Sequence, residues 1–156
     1  MSEILCTAII SASSSEIAFC RIITNRDADA NDHKQTGFFI PENAAELLFG
    51  SPLSLGEDKE KLVKIKWQDD FTTNNRLVYR SQGETGEYYI TDFGEDFPFL
   101  DEDSVGDLLI IVKESENYYT AFVLQTDDDV EEFYYTYNVS PTRDNFILLR
   151  SEAKDE

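Results

Sequence analysis

The chain has 156 residues with 13 Lys+Arg against 32 Asp+Glu, a formal net charge of −19, and it is 41% hydrophobic and 13% aromatic. That length suits one domain of ordinary size, and eleven Phe with eight Tyr supply the core that a disordered acidic chain lacks. An electrostatic nucleic-acid clamp built on an overall excess of Lys and Arg is excluded, as are collagen-like or low-complexity polymers, with only seven Gly and four Pro.

In chain order, apolar and β-branched residues come in short runs, the pattern of strands rather than of long helical stripes. Residues 4–11 and 17–24 read as two strands around a polar loop, Ser11-Ala12-Ser13-Ser14-Ser15. A polar stretch over residues 25–36 follows, then a short strand over 37–40. Residues 41–50 read as a short helix, with Pro41 in the first turn, early acids and Gly50 at the stop. Leu62-Val63-Lys64-Ile65-Lys66-Trp67 alternates apolar and basic residues, as a half-exposed strand does. Residues 76–80 and 88–91 are two more strands. Residues 107–113 and 118–125 form a hairpin turning at Glu114-Ser115-Glu116-Asn117. Residues 127–135 read as a second helix with its acids at the N-terminal end, where the helix dipole favours them. Residues 146–149 close as a strand and residues 151–156 are an acidic polar tail. The expected fold is mainly β, a barrel or pseudobarrel of about seven strands with two short helices, forming a single domain over residues 1–150.

Few features point to chemistry. His33 is the only histidine, which leaves no cluster for a metal or a proton relay. Asp27-Ala28-Asp29-Ala30-Asn31 opens like a calcium loop, but Asp32 stands where the loop needs Gly and Phe38 where it needs its bidentate Glu. There is no phosphate-cradling glycine loop and no nucleophile elbow. The triplets Glu57-Asp58-Lys59 and Glu152-Ala153-Lys154 read as charged surface. The expectation is a non-catalytic chain with no cofactor and no metal. Cys6 and Cys20 lie in apolar stretches and read as buried, reduced thiols. The longest apolar run, Leu108-Leu109-Ile110-Ile111-Val112, is far short of the ~20 residues of a membrane span, and the N-terminus has no secretory pattern, so a cytoplasmic location away from membranes is expected.

The acid is unevenly placed. Residues 1–80 carry nine basic and twelve acidic side chains, a net of −3, and residues 81–156 carry four and twenty, a net of −16. Runs such as Asp101-Glu102-Asp103 and Asp127-Asp128-Asp129 are ordinarily solvated surface. At this density they also imitate the charge of duplex DNA, about one per 1.7 Å of axis. Tyr88, Tyr89, Tyr134, Tyr135 and Tyr137 stand among these acids either as aromatic contact points or as barrel-wall residues.

The order of segments resembles a known family. Arg21-Ile22-Ile23-Thr24-Asn25 leads into the polar loop; His33 to Gly37 and Phe38-Phe39-Ile40-Pro41 follow, then a helix ending Leu48-Phe49. Further on come Glu87-Tyr88-Tyr89-Ile90-Thr91-Asp92-Phe93-Gly94, Phe97-Pro98-Phe99-Leu100, Gly106-Asp107-Leu108-Leu109, Thr126-Asp127-Asp128-Asp129-Val130-Glu131 and Val139-Ser140-Pro141. Over nearly its whole length the chain is similar to the N-terminal effector-DNA-binding domain of EcoRII-type restriction endonucleases, a relative of the plant transcription-factor pseudobarrel.

The resemblance implies a pseudobarrel whose two arms grip duplex DNA, with no catalytic residues. One arm corresponds to residues 25–36. The other corresponds to Ser81-Gln82-Gly83-Glu84-Thr85-Gly86-Glu87-Tyr88-Tyr89, where the family is rich in Lys and Arg and this chain has none; the Arg of the family's Ile-Thr-Arg stretch is Asp92. Two readings follow. In the first, the domain is an acidic, DNA-mimic-like inhibitor or interaction module against a basic nucleic-acid-binding protein such as a restriction or other defence nuclease, through Glu84, Glu87, Asp92, Glu95, Asp96, Asp101, Glu102 and Asp103. In the second, it is the DNA-recognition domain of a restriction system. Duplex DNA would then be held by a locally basic groove of Arg26, His33, Lys34, Arg76 and Arg80, with Glu87 as the family's acidic arm residue.

Overall fold

The computed structural model describes residues 2–24, 38–40, 59–68, 71–82, 85–91, 104–115, 117–140, 142 and 145–149. A helix α1 (Glu3–Ser14) precedes strands β1 (Ile17–Ile22), β2 (Phe38–Ile40), β3 (Lys59–Trp67), β4 (Phe71–Gln82), β5 (Thr85–Thr91), β6 (Leu108–Ser115) and β7 (Tyr118–Leu124). Helix α2 (Asp127–Thr136) and strand β8 (Asn145–Leu149) follow. The eight strands form one sheet in the order β2-β5-β4-β3-β7-β6-β1-β8. Every pairing is antiparallel except β3 with β7.

The sheet curls on itself as the pseudobarrel expectation requires. Ile40 of β2 and Ile17 of β1 sit near opposite ends of the strand order, yet both belong to one buried cluster with Phe19, Ile65, Trp67, Leu77, Ile90, Leu109, Ile111 and Tyr119. That cluster fills the interior. A second cluster lies on the outer face of β1, β6, β7 and β8, where Ala18, Cys20, Leu108, Ile110, Phe122 and Leu124 pack beneath Leu5, Ala8 and Ala12 of α1 and Phe133 and Tyr134 of α2.

This two-sided burial explains two kinds of strand sequence. In Leu108–Val112, alternate residues serve the inner and the outer cluster, so the run is apolar throughout. In β3 only one face is covered: Val63, Ile65 and Trp67 are buried while Leu62, Lys64 and Lys66 are exposed.

The expectation of a strand at residues 4–11, with a loop at 11–15, is corrected. The segment is α1. Its apolar run carries β-branched residues, but Leu5, Ala8 and Ala12 fall three and four apart on one face, and that face finds the outer side of the sheet. Ser2 caps the helix by accepting from the Leu5 amide at 3.1 Å, and its own hydroxyl donates to Asp129 Oδ2 at 2.7 Å. At the other end Tyr137 donates to the Ile9 carbonyl at 3.1 Å and lies 2.7 Å from the Ser13 hydroxyl, so α1 and α2 are tied at both ends.

Helix α2 forms where expected. Thr126 caps it, accepting from the Asp129 amide at 3.2 Å, and Asp127, Asp128 and Asp129 occupy its first turn. The expected helix over residues 41–50 lies outside the described residues.

One burial expectation changes, and one reading left open is decided. Cys20 is buried, but Cys6 is exposed, because position 6 falls off the apolar face of α1; both are free thiols. Tyr88 and Tyr134 are core residues and so are not available as surface contact points, whereas Tyr135 is 82% exposed.

Candidate nucleic-acid interface

The region of interest is the ribbon β3–β4–β5. A polar chain anchors its first hairpin: Trp67 Nε1 donates to Thr73 Oγ1 at 2.8 Å, and Thr73 Oγ1 donates to Asn75 Oδ1 at 2.5 Å. Asn75 is fully buried, so its side-chain oxygen needs this donor. Trp67 and Phe71 stack at the ladder end, with ring centroids 6.4 Å apart. Gln68 just beyond β3 accepts from the Val123 amide at 2.7 Å, joining the hairpin end to β7.

On the outward side of this frame the register sets Lys66 opposite Thr72, Lys64 opposite Asn74 and Leu62 opposite Arg76. Directly opposed residues share a face, so Lys64, Lys66 and Arg76 lie on one surface, with both lysines exposed and Arg76 half-buried. The parallel partners of the lysines on β7 are Tyr118 and Thr120, so no carboxylate stands directly opposite either one in the ladder. β4 continues past Arg76 to Arg80, which the register sets opposite Glu87 of β5, and the ladder closes at Gln82 and Thr85.

Charge is concentrated here against the trend of the molecule. Residues 59–82 hold six Lys+Arg and three Asp+Glu, a net of +3 in a chain of −19, and β4 itself contains no acid. The arm segment 81–89 has no cation of its own, but it is one side of a hairpin whose other strand supplies Arg76 and Arg80. Lys64 and Lys66 were missing from the sequence-based candidates. Their signal was present in the apolar–basic alternation of residues 62–67, which places both on the solvent side.

Strand β5 lies between β4 and β2 in the sheet. It is hydrogen-bonded to β4 on one side and on the other to β2, with Phe38 opposite Ile90 and Ile40 opposite Tyr88. β2 follows the polar stretch 25–36 in the chain and is the neighbour of β5 in the sheet.

Of the expected DNA-contacting residues, Arg76, Arg80 and Glu87 are brought together on adjacent strands. Arg26, His33 and Lys34 lie outside the described residues. So do Glu84, Asp92, Glu95, Asp96, Asp101, Glu102 and Asp103 of the acidic surface, leaving Glu87 as its one member placed in the sheet. Among the described residues no group of three or more His, Cys, Asp or Glu could hold a metal ion, and no helix is long and apolar enough to cross a membrane.

Comparisons with known proteins agree with this architecture. The N-terminal domain of Helicobacter pylori LlaJI.R1 superposes with a TM-score of 0.56 at 10% identity, covering 85% of this chain and 98% of that one. The B3 domain of the UbaLAI restriction endonuclease, solved with its cognate DNA, superposes with a TM-score of 0.58 at 13% identity, covering 96% of this chain and 99% of that one. At these identities the likeness is one of fold. No curated protein matches the sequence. The family model for the N-terminal domain of restriction endonuclease EcoRII matches residues 12–143, well over half of the chain. This match places the chain in the EcoRII N-terminal domain family.

Proposed function

We propose that this chain is a DNA-recognition domain of the EcoRII N-terminal type, a binding rather than a catalytic unit that serves a restriction system. The observation that carries the reading is the segregation of charge: residues 59–82, which contain the β3–β4 hairpin, hold a net of +3 in a −19 chain, and the second strand of that hairpin forms one side of the family's arm. Net charge does not decide DNA affinity at physiological salt. The Debye length there is about 8 Å, so a phosphate senses the cations it touches more than carboxylates beyond that distance.

In this reading Arg76, Arg80, Lys64 and Lys66 meet phosphates, and the loop residues Arg26, His33 and Lys34 approach from the other arm. Glu87, opposite Arg80, either orients that guanidinium or accepts a hydrogen bond from a cytosine amino group. The UbaLAI B3 domain, similar in fold and solved with cognate DNA, supports this reading.

The test is selection from a randomised duplex pool at low salt. Enrichment of a short motif is expected; a pool that stays random after repeated rounds contradicts it. The net of −16 over residues 81–156 favours a second reading, in which Glu84, Glu87, Asp92, Glu95, Asp96, Asp101, Glu102 and Asp103 imitate DNA phosphates toward a basic defence nuclease. That reading requires no duplex binding and salt-sensitive capture of such a nuclease.

A further inference from the structure

Between α1 and the outer face of β3 and β7 lies a half-open cleft of about 610 Å³, and among the described residues none of its lining comes from β4 or β5. Its accessible apolar surface is provided by Ile4 and the ring of Tyr118, both half-buried, whereas Trp67 and Phe122 behind them are almost fully buried. At its base is Gln68, which is only 7% exposed. The Gln68 carbonyl oxygen is held by the Val123 amide at 2.7 Å, which fixes the side-chain orientation and leaves the amide nitrogen as the other branch. Among the described residues that nitrogen has no hydrogen-bond partner, and neither do the hydroxyls of Ser11 and Tyr118 on the cleft walls.

A buried donor without an acceptor is unfavourable unless something enters the cleft to accept from it. The rim restricts what can enter. Among the described residues, Glu3 and Glu114 stand against Lys66, and Glu114 accepts from Thr120 Oγ1 at 2.8 Å. Lys66 also stands on the outward face of β3, and the carboxylates on these walls outnumber it, so a small anion is disfavoured inside the cleft.

From this arrangement we infer that the cleft is a binding site for a small neutral molecule with a carboxamide or lactam edge on a flat ring. The ligand carbonyl accepts from Gln68 Nε2, its N–H donates toward the carboxylate rim or the Ser11 hydroxyl, and its ring lies against Tyr118 and Ile4. The volume is in the range of small-ligand sites, roughly 300–1,000 Å³.

The experiment is a titration followed by the side-chain ¹⁵N–¹H resonances of Gln68, using nicotinamide and thymidine as probes, with benzoate and benzyl alcohol as controls. Saturable shifts of the Gln68 Nε2 protons are expected with both probes, at a dissociation constant on the order of 1 mM or below, and not with the controls. Gln68→Glu keeps the acceptor for Val123 while removing the donor, and is expected to weaken the probes about tenfold. Ser11→Leu fills the cleft, leaves Gln68 untouched and is expected to abolish the shifts. Unmoved Gln68 resonances at saturating probe, or shifts of equal size with benzyl alcohol, would overturn the assignment and leave the Gln68 donor to water alone.

Discussion

Replacing Lys64 and Lys66 together by Gln probes the proposed DNA contact where the structure is most explicit. Both side chains are exposed on the outward face of β3, and their ladder partners Asn74, Thr72, Tyr118 and Thr120 are uncharged, so the substitution leaves the buried Val63, Ile65 and Trp67 face intact. Each phosphate neutralised contributes a slope of about −0.9 in log affinity against log salt. Losing two contacts therefore makes the slope shallower by about 1.8, which corresponds to roughly a twelvefold smaller loss of affinity between 50 and 200 mM salt. Fluorescence anisotropy with a labelled duplex over that range measures the slope. The double variant should bind more weakly than the parent at 50 mM and converge on it as salt rises. An unchanged slope, with the parent itself bound, would refute a phosphate role for this face and confine binding to the arms.

The remaining predictions concern the frame behind that face. Phe133 is fully buried beneath Tyr137 and Phe146, and Phe133→Ala should cost about 3–5 kcal/mol of unfolding free energy by denaturant titration; a loss below about 1 kcal/mol would mean that α2 is not docked as described. Ser2→Ala removes the α1 cap and the bond to Asp129, and should lower stability by about 1 kcal/mol in the same assay. A colorimetric thiol reagent should modify Cys6 at once in the native protein and Cys20 only on unfolding; two fast thiols would contradict the burial of Cys20. Burial raises the Cys20 thiol well above its ordinary value of 9.0, and burial likewise raises the Tyr137 phenol. Both groups hold their protons more tightly folded than unfolded. Their contribution is thus fully present below pH 9 and is lost as alkali ionises the unfolded chain first, so stability should fall above about pH 9 and fall less in Cys20→Ala.

Much of this architecture could be read from residue pattern. The alternation in residues 62–67 gave both the strand and its solvent side, and the acids of Asp127–Asp129 gave the start of α2. What misled was local composition. The β-branched run in α1 reads as a strand until the spacing of Leu5, Ala8 and Ala12 is weighed, and only the apolar outer face of β6 and β7 decides between the two. The cations were obscured by the opposite error: net charge averages over the whole surface, whereas strand register collects Lys64, Lys66 and Arg76 on one face and sets Arg80 beside Glu87. Register depends on long-range pairing, which short-range patterns do not encode. The cleft at Gln68 lies further still from the sequence, since it depends on where α1 settles relative to β3 and β7.

The most direct test of the central claim is anisotropy of a labelled duplex carrying the selected motif, at low salt, with the parent chain and with the Arg76→Glu, Arg80→Glu double variant. The account predicts micromolar or tighter binding by the parent, weakening as salt is added, and loss of at least tenfold in the variant. No binding by the parent at low salt, where attraction to phosphate is greatest, would contradict it and direct attention to the acidic surface and a basic protein partner.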